Sequence, residues 1–333
     1  MRSLVLGGST FVGRRLVHRL AGQGHEVGVL NRGRTPSELP PDVRRYVADR
    51  TDPGSMRSAL AGTEWDAVFD VSGFVMVAGG SPLADLLALF DGRTGAYVFV
   101  SSIMAYQPTP LMPWTEDQPT SAEPVTSYGG FKAFAETEVR KRHELTGFPG
   151  SIARPAAIYG PDNNIVDMET AMFLRLRRHL PVLLPHGGLV TGNYGHVDDL
   201  CALLLAMAQT PHAVAGEVVN ATGQAITTSG YVHALAEIVG VEPEIHLLPD
   251  QALGQVPGPL FGHLFGVRHH AVISTDKARR LNLPAGRGFA EGHRQTYEWF
   301  LSSPFAEAPE AMSDPVWGAG YDFTAEAKAV ALL

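Results

Sequence analysis

The sequence predicts an α/β fold, a doubly wound parallel sheet with a smaller C-terminal lobe. Three observations predict it. Short apolar runs alternate with helix-like stretches from residue 2 to about 156, as in a parallel sheet covered on both faces. A glycine-rich turn, Gly7-Gly8-Ser9-Thr10-Phe11-Val12-Gly13, separates the first apolar run from the first amphipathic one. Beyond Tyr159-Gly160-Pro161 the alternation gives way to Pro- and Gly-rich segments with short strand-like pieces.

Taken in order, Arg2–Leu6 reads as a buried strand, and Arg14–Leu20 as a helix burying Leu16, Val17 and Leu20. A glycine turn in that setting is the context of dinucleotide binding, in a Rossmann-type sheet. Gly7 permits the tight turn, Gly8 lets the backbone approach a pyrophosphate, and Gly13 lets helix and strand pack closely. Ser9, Thr10, Phe11 and Val12 then surround a helix N-terminus, where free N–H groups favour anions. Thr10 stands where the middle glycine is usual. The second strand, Glu26–Leu30, ends in Asn31-Arg32-Gly33-Arg34. NAD binders commonly place a carboxylate there. A neutral amide with two guanidinium groups matches a 2′-phosphate instead, so NADP is favoured over NAD; the alternative is a pair of solvated loop charges. After a third strand, Val43–Ala48, Asp49 suits the adenine amine, and Arg50 beside it joins the cofactor candidates. A fourth strand, Ala67–Val71, leads into Val71-Ser72-Gly73, expected to pass under the cofactor ribose.

Tyr97–Ser102 is a fifth strand ending in a hydroxyl. Tyr128 and Lys132 follow at the spacing that shares a helix face. An ammonium beside a phenol favours phenolate and is expected to lower the tyrosine pKa, and a serine hydroxyl can hold the substrate oxygen. That set moves a proton on or off an alcohol or carbonyl. Residues 107–127 carry five prolines and read as an irregular loop, either a lid or a connector. Further helices are expected at Glu169–His179, Ser229–Val239 and Ala290–Leu301, and a strand at Glu244–Leu248.

With these residues in view, the chain resembles the extended short-chain dehydrogenase/reductase superfamily, the NAD-dependent epimerase/dehydratase group. The likeness includes Ser101-Ser102 with Tyr106, Tyr128-x-x-x-Lys132, Arg154-Pro155 through Tyr159-Gly160-Pro161, His196-Val-Asp-Asp-Leu200 and Gly216-Glu-Val-Val-Asn220. The Gly-Gly-x-x-Phe-x-Gly form is similar to the atypical subgroup, which also holds isoflavone-reductase-like and chloroplast RNA-associated members. The resemblance implies that Ser102 orients substrate, Tyr128 is the acid/base, and Lys132 tunes Tyr128 and holds the nicotinamide ribose. It adds Ser101, Pro155 and Ala157 to the cofactor contacts. It offers Phe74, Met104, Asn163, Tyr194, His196 and Arg268 as substrate contacts, with His196 equally an N-terminal cap. Sugar-nucleotide dehydratases carry an Asp-Glu pair after the catalytic Ser or Thr. Ile103 and Met104 stand there, which demotes dehydration and decarboxylation.

The resemblance also implies interleaved units. Residues 1–160 and 197–221 form the dinucleotide-binding domain, 161–196 and 222–302 the substrate lobe, and 303–333 a tail. A homodimer is expected through the helices that carry Tyr128 and follow Ser72. Epimerisation of a nucleotide-sugar-type substrate is placed just ahead of NADPH-dependent reduction of a small-molecule ketone. A cofactor-sensing or RNA-binding scaffold is the non-enzyme rival, and an intact Tyr-Lys pair argues against it.

Composition sets the outer limits. The chain has 333 residues, 45% apolar and 18% charged, as in ordinary globular proteins. A net charge of −8 argues against nucleic-acid and anionic-membrane partners, and leaves a small molecule as the expected one. The basic run Arg175–His179 reads as a solvated helix face. One cysteine, Cys201, excludes an intrachain disulfide and fits a buried thiol in a reducing cytoplasm. No leader-like segment precedes the first strand and no run is long enough to span a bilayer. No metal site is expected: His196, Asp198 and Asp199 lack a second histidine at helical spacing.

Overall fold

The structure is a computed structural model, and it describes residues 1–72, 81–165, 168–251, 262–307 and 330. The chain runs through β1 (Arg2–Leu6), α1 (Phe11–Gly22), β2 (Glu26–Asn31), β3 (Arg44–Val47), α2 (Pro53–Ala59), β4 (Ala67–Asp70), α3 (Ser81–Ala88), β5 (Tyr97–Val100), α4 (Tyr128–Thr146), β6 (Gly150–Pro155) and β7 (Ala157–Tyr159). It continues through α5 (Glu169–Arg177), β8 (Val182–Pro185), β9 (Thr191–His196), α6 (Val197–Gln209), α7 (Pro211–Val214), β10 (Val218–Ala221), β11 (Ala225–Thr227), α8 (Thr228–Val239), β12 (Ile245–Leu248), α9 (Gly262–Phe265), α10 (Asp276–Arg280) and α11 (Phe289–Ser302).

Seven strands form one parallel sheet in the order β10-β6-β5-β4-β1-β2-β3. The order in which the chain adds strands reverses between β1 and β4, where open α/β sheets bind ligands beyond their carboxyl ends. On one face Leu16, Val17 and Leu20 of α1 pack with Leu200, Leu204 and Met207 of α6. On the other, Leu83, Leu86 and Leu87 of α3 meet Phe131, Ala135 and Val139 of α4. Strands buried on both sides explain why β4 (Ala-Val-Phe-Asp) and β6 read as continuous runs without alternation. Residues 197–221 thus rejoin the sheet through α6 and β10.

The remaining elements build a separate core. Strands β7, β9 and β11 form a small mixed sheet, and β8 pairs with β12. Tyr159, Phe173, Tyr231, Phe289 and Phe300 fill the space beneath them. Arg175 differs from the expected solvated face: on α5 it is buried, while Arg177 and Arg178 are exposed. The cause is the helix's apolar flank, since Ala171–Leu176 are all buried and carry Arg175 in with them. Cys201 lies buried under α1, where burial pushes its thiol up to about 12. No helix among the described residues is long and apolar enough to cross a membrane. Most of the 303–333 tail lies outside the described residues.

Glycine in and around α1 shows two different economies. A Cβ on Gly13 would stand 2.1 Å from the Gly7 carbonyl oxygen, whereas one on Gly22 would meet nothing within 4 Å. Gly13→Ala is expected to cost about 1–3 kcal/mol, because the turn must be pushed off the helix. Gly22→Ala is expected to stabilise by up to about 1 kcal/mol through helix propensity. Urea unfolding of the two variants checks this; equal effects would reject the close-approach argument.

Candidate active site

The site lies at the carboxyl ends of β4, β5 and β6. β5 runs into Ser101 and Ser102, and Ser102 opens a single 3-10 turn in which its Oγ accepts the Met104 N–H at 3.1 Å. Tyr128 is the first residue of α4, whose start is capped by Ser127 Oγ accepting from the Gly130 N–H at 3.0 Å. Two glycines follow the tyrosine at an apparent cost in helix propensity. The geometry explains both. A Cβ on Gly129 would lie 2.4 Å from the Met104 oxygen, and one on Gly130 2.2 Å from the Pro124 oxygen. Only bare backbone lets α4 seat against the Ser102 turn, and there the Ser102 and Tyr128 hydroxyls hydrogen-bond. Lys132, one turn on, donates from Nζ to the Val100 oxygen at 2.8 Å and sits 5.6 Å from the Tyr128 ring centroid.

Burial governs the electrostatics here. It lowers the Lys132 ammonium to about 8, with Asp70 and Glu136 opposing and Arg50 adding to the fall. Burial also holds the Tyr128 phenol above its ordinary value, against the hydrogen bond with Ser102. The expectation that Lys132 lowers the phenol pKa is therefore reversed. The ammonium is turned to a backbone carbonyl, and desolvation of the phenol outweighs its neighbour. Tyr128 carries its proton at neutral pH.

Two buried ion pairs flank this group. Arg50 reaches both Asp70 oxygens at 2.8 Å and also the Ser72 hydroxyl and carbonyl. Tyr97 donates to Asp70 at 2.8 Å. Burial alone would raise the Asp70 carboxyl; Arg50, Tyr97 and Ser72 outweigh it and leave the carboxyl below its ordinary range. On the other side Arg154 is bidentate to Glu136 at 2.9 and 2.5 Å, and Ser101 donates to the same carboxylate at 2.5 Å. The structure thus commits the polar atoms of Arg50, Ser72 and Ser101, three expected cofactor contacts, to ion pairs beneath the site.

The glycine turn fits a dinucleotide. Gly7 has φ of +95° and a Cβ there would strike Ser72 at 2.7 Å, so the turn presses against the end of β4. Gly8 serves the core as well: a Cβ would meet Val17 and Val29 at 2.9 Å. Thr10 makes no side-chain cap bond, and the first turn of α1 (Phe11, Val12, Gly13) has no acid, so its N–H groups remain open to an anion. Asn31 ties the turn to β2, donating to Ser9 Oγ at 2.8 Å and accepting the Gly33 N–H at 2.8 Å. Arg32 and Arg34 are exposed and face Asp49 closely enough to help lower its carboxyl, after the hydrogen bonds from Thr51. Val71 continues β4, Pro155 ends β6 and Ala157 opens β7.

Substrate-side candidates divide. Met104 is 51% exposed directly beside the Ser102 turn. Arg268 is exposed in the 266–270 segment. Asn163 is buried, its amide held by Glu169 and by the Ile165 N–H. Tyr194 is buried and donates to the Leu264 oxygen at 3.4 Å. His196 caps α6 through Nδ1 accepting the Asp198 N–H at 3.2 Å, and burial lowers its ring to about 4. Gly73 and Phe74 lie outside the described residues. The 107–127 loop is pinned at three places: Tyr106 to Thr120, Trp114 to Ile273, and the Glu116 carboxylate accepting the Asn220 N–H at 2.9 Å. A cavity of about 380 Å3 lies elsewhere, bordered by His196, Asp199, Asn220 and Arg287 and by none of Ser102, Tyr128 or Lys132. Glu136 and the Gly129-Gly130 pair escaped the sequence reading. Glu136 was findable, since it stands four residues beyond Lys132 on the same helix face.

The model of the NAD dependent epimerase/dehydratase family matches residues 3–222. The chain is 27% identical over 257 residues to a chloroplast stem-loop binding protein of 41 kDa b from Arabidopsis thaliana, covering 73% of this chain and 64% of that protein. It is 30% identical over 218 residues to a 2'-dehydrokanamycin reductase from Streptomyces kanamyceticus, covering 64% and 59%. The chain thus spans less than two thirds of either relative. Curated relatives include both reductases and epimerases. A dTDP-glucose 4,6-dehydratase of Bacillus anthracis, solved with NAD, shares the fold with a TM-score of 0.76 at 18% identity, over 91% of this chain and 97% of that one.

Buried Glu169 gives the lobe a pH signature. Its carboxylate accepts from the Gly160 N–H and from Asn163, yet burial raises it to about 7 from an ordinary 4.5. Below pH 4.5 both folded and unfolded chains hold that proton. Above pH 4.5 the unfolded chain gives up that proton while the folded chain keeps it, so stability falls as pH rises to about 7 and levels off beyond. The loss is expected to reach about 3 kcal/mol by pH 8. Comparing urea midpoints of the wild type and Glu169→Gln across that range isolates it. Parallel curves for the two proteins would reject the assignment.

Proposed function

The chain belongs to the NAD dependent epimerase/dehydratase family, and from that premise we propose that it reduces a ketone with NADPH, Tyr128 supplying the proton. One observation carries the chemistry: the Ser102 and Tyr128 hydroxyls hydrogen-bond to each other above the buried Lys132, so that one proton donor and one hydroxyl meet at a single place. The nicotinamide, when bound, supplies hydride to the carbonyl carbon. Ser102 Oγ and Tyr128 Oη converge on the position of the carbonyl oxygen, and the phenol proton moves to that oxygen as negative charge builds there. Lys132 lies one turn below with its charge retained at neutral pH, so its field favours the phenolate left behind. The choice of NADPH rests on Arg32 and Arg34 at the end of β2, with no carboxylate on that turn.

Epimerisation of a sugar-type substrate is the second reading. The same serine, tyrosine and lysine can take the proton as well as give it, and relatives at 27% and 26% identity are named dTDP-L-rhamnose 4-epimerase and UDP-glucose 4-epimerase. Dehydration stays demoted, because the two side chains after Ser102 are Ile103 and Met104 and neither can move a second proton.

Denaturing freshly purified protein and identifying any released nicotinamide separates the readings. A reductase is expected to release little and to bind NADPH at least about tenfold tighter than NADH, a preference that Arg32→Ala with Arg34→Ala removes. Near-stoichiometric oxidised cofactor would favour the epimerase. Tyr128→Phe is expected to slow turnover by about 10²–10⁴-fold with NADPH affinity intact. Failure to bind either nucleotide would overturn both enzyme readings.

A further inference from the structure

Beneath the Ser102–Tyr128–Lys132 group lies a carboxylate that the chemistry does not touch. Glu136 is 2% exposed on α4, two turns beyond Tyr128 and one beyond Lys132. Both its oxygens are used. Oε1 accepts from Ser101 Oγ at 2.5 Å and Arg154 Nε at 2.9 Å, and Oε2 from Arg154 Nη2 at 2.5 Å. Arg154 belongs to β6, and its guanidinium lies 4.3 Å over the Tyr106 ring at the far side of the Ser102 turn. Tyr106 donates to Asn220 Oδ1 at 2.8 Å, and Asn220 Nδ2 to the Ser274 oxygen at 3.0 Å. One carboxylate therefore links the end of β5, the helix of the acid/base and the neighbouring strand.

We propose that Glu136 is the positioning residue of this site, fixing Ser102 against Tyr128 through Ser101 while its charge, balanced by Arg154, supports the Lys132 ammonium. The proposal rests on the reductase reading for its kinetic consequence only. The geometric reasons are independent of it. Ser101 and Ser102 are adjacent on one extended strand end, so holding one holds the other. Tyr128, Lys132 and Glu136 share one face of one helix. A hydrogen bond between two hydroxyls has no geometric fork of its own, and a bidentate ion pair behind it supplies the missing rigidity. An ion pair in so dry a place is a poor source of stability against an apolar replacement, which leaves precision as its use.

The charges facing Lys132 are Asp70 from β4, Arg50 from beyond β3, and Glu136 from its own helix. Removing the Glu136 charge deletes an anion and leaves Arg154 uncompensated. Both changes disfavour the ammonium, so the Lys132 pKa must fall. Lys132, Lys141, Lys277 and Lys328 are the only lysines in the chain, so the titration can be followed by carbon-13 NMR of labelled lysine methylene groups, with Lys132→Met giving the assignment.

Two variants test the proposal. Glu136→Gln is expected to move the Lys132 midpoint down by about half a pH unit or more. Ser101→Ala keeps the ion pair and is expected to leave the Lys132 midpoint in place. It should instead shift the Tyr128 resonance in tyrosine-labelled protein, assigned through Tyr128→Phe. With phenanthrenequinone as hydride acceptor from NADPH, kcat of Ser101→Ala should fall roughly ten- to a hundredfold at unchanged NADPH affinity. An unmoved Lys132 midpoint in Glu136→Gln, or an unmoved Tyr128 resonance in Ser101→Ala, overturns the proposal. If Glu136→Gln does not fold, Ser101→Ala decides alone. If the wild type binds NADPH but does not reduce the quinone while both NMR shifts occur, the positioning role stands and the reductase reading is what fails.

Discussion

A lysine ammonium kept almost out of water is the constraint around which the site is built. Lys132 is 2% exposed, and taking a charge to such a place is costly unless partners compensate. The fold supplies compensation from three directions: the Val100 carbonyl directly, the Asp70 carboxylate at the end of β4, and the Glu136 carboxylate on its own helix. Each carboxylate is in turn too buried to stand alone, so Arg50 is committed to Asp70 and Arg154 to Glu136. The result is a row of alternating charges across the carboxyl ends of adjacent parallel strands. Parallel topology makes the row possible, because it brings these strand ends to one edge of the sheet.

That row explains which parts of the molecule were legible beforehand. The strand-helix alternation and glycine turn were, because they follow from local rules: β1 falls on the expected residues, and β2, β3, β4, α8 and α11 agree within a residue or two at either end. The close approaches at Gly7 and Gly13 also follow from the motif, since only a missing Cβ allows them. The fates of Arg50, Ser72 and Ser101 were not legible. Each lies at a strand end where a cofactor contact and a buried pairing look alike in one dimension, and the partner is 20 or more residues away for Arg50 and Ser101. The tyrosine pKa was read with the wrong sign for a related reason. Spacing shows that Lys132 is near Tyr128, but not that both are dehydrated together.

The lobe was harder still. Asn163, Tyr194 and His196 are polar residues in the right stretch of chain, and a sequence shows no sign of how deeply they are packed. In the structure Asn163 holds the Glu169 carboxylate, while Tyr159 stacks on His293 at 3.7 Å between centroids and meets His196 edge-on at 5.3 Å. These polar groups are packed into the lobe, and His196 also borders the 380 Å3 cavity.

The 107–127 loop abuts the Ser102 turn and the start of α4, and its attachment argues against a lid. A closing segment needs a hinge and a low-stability body. This segment is bonded through Glu116 to the end of β10, paired through Trp114 to the 271–273 stretch, and packed through Trp114 against the tilted Tyr106 ring and the stacked His269 ring. Its exposed apolar side chains include Leu111, Met112 and Val125. The segment is thus a fixed wall, with the exposed Met104 in the turn that Ser102 opens. The polar demands of the reaction are left to the serine, tyrosine and lysine, which the buried ion pairs hold in register.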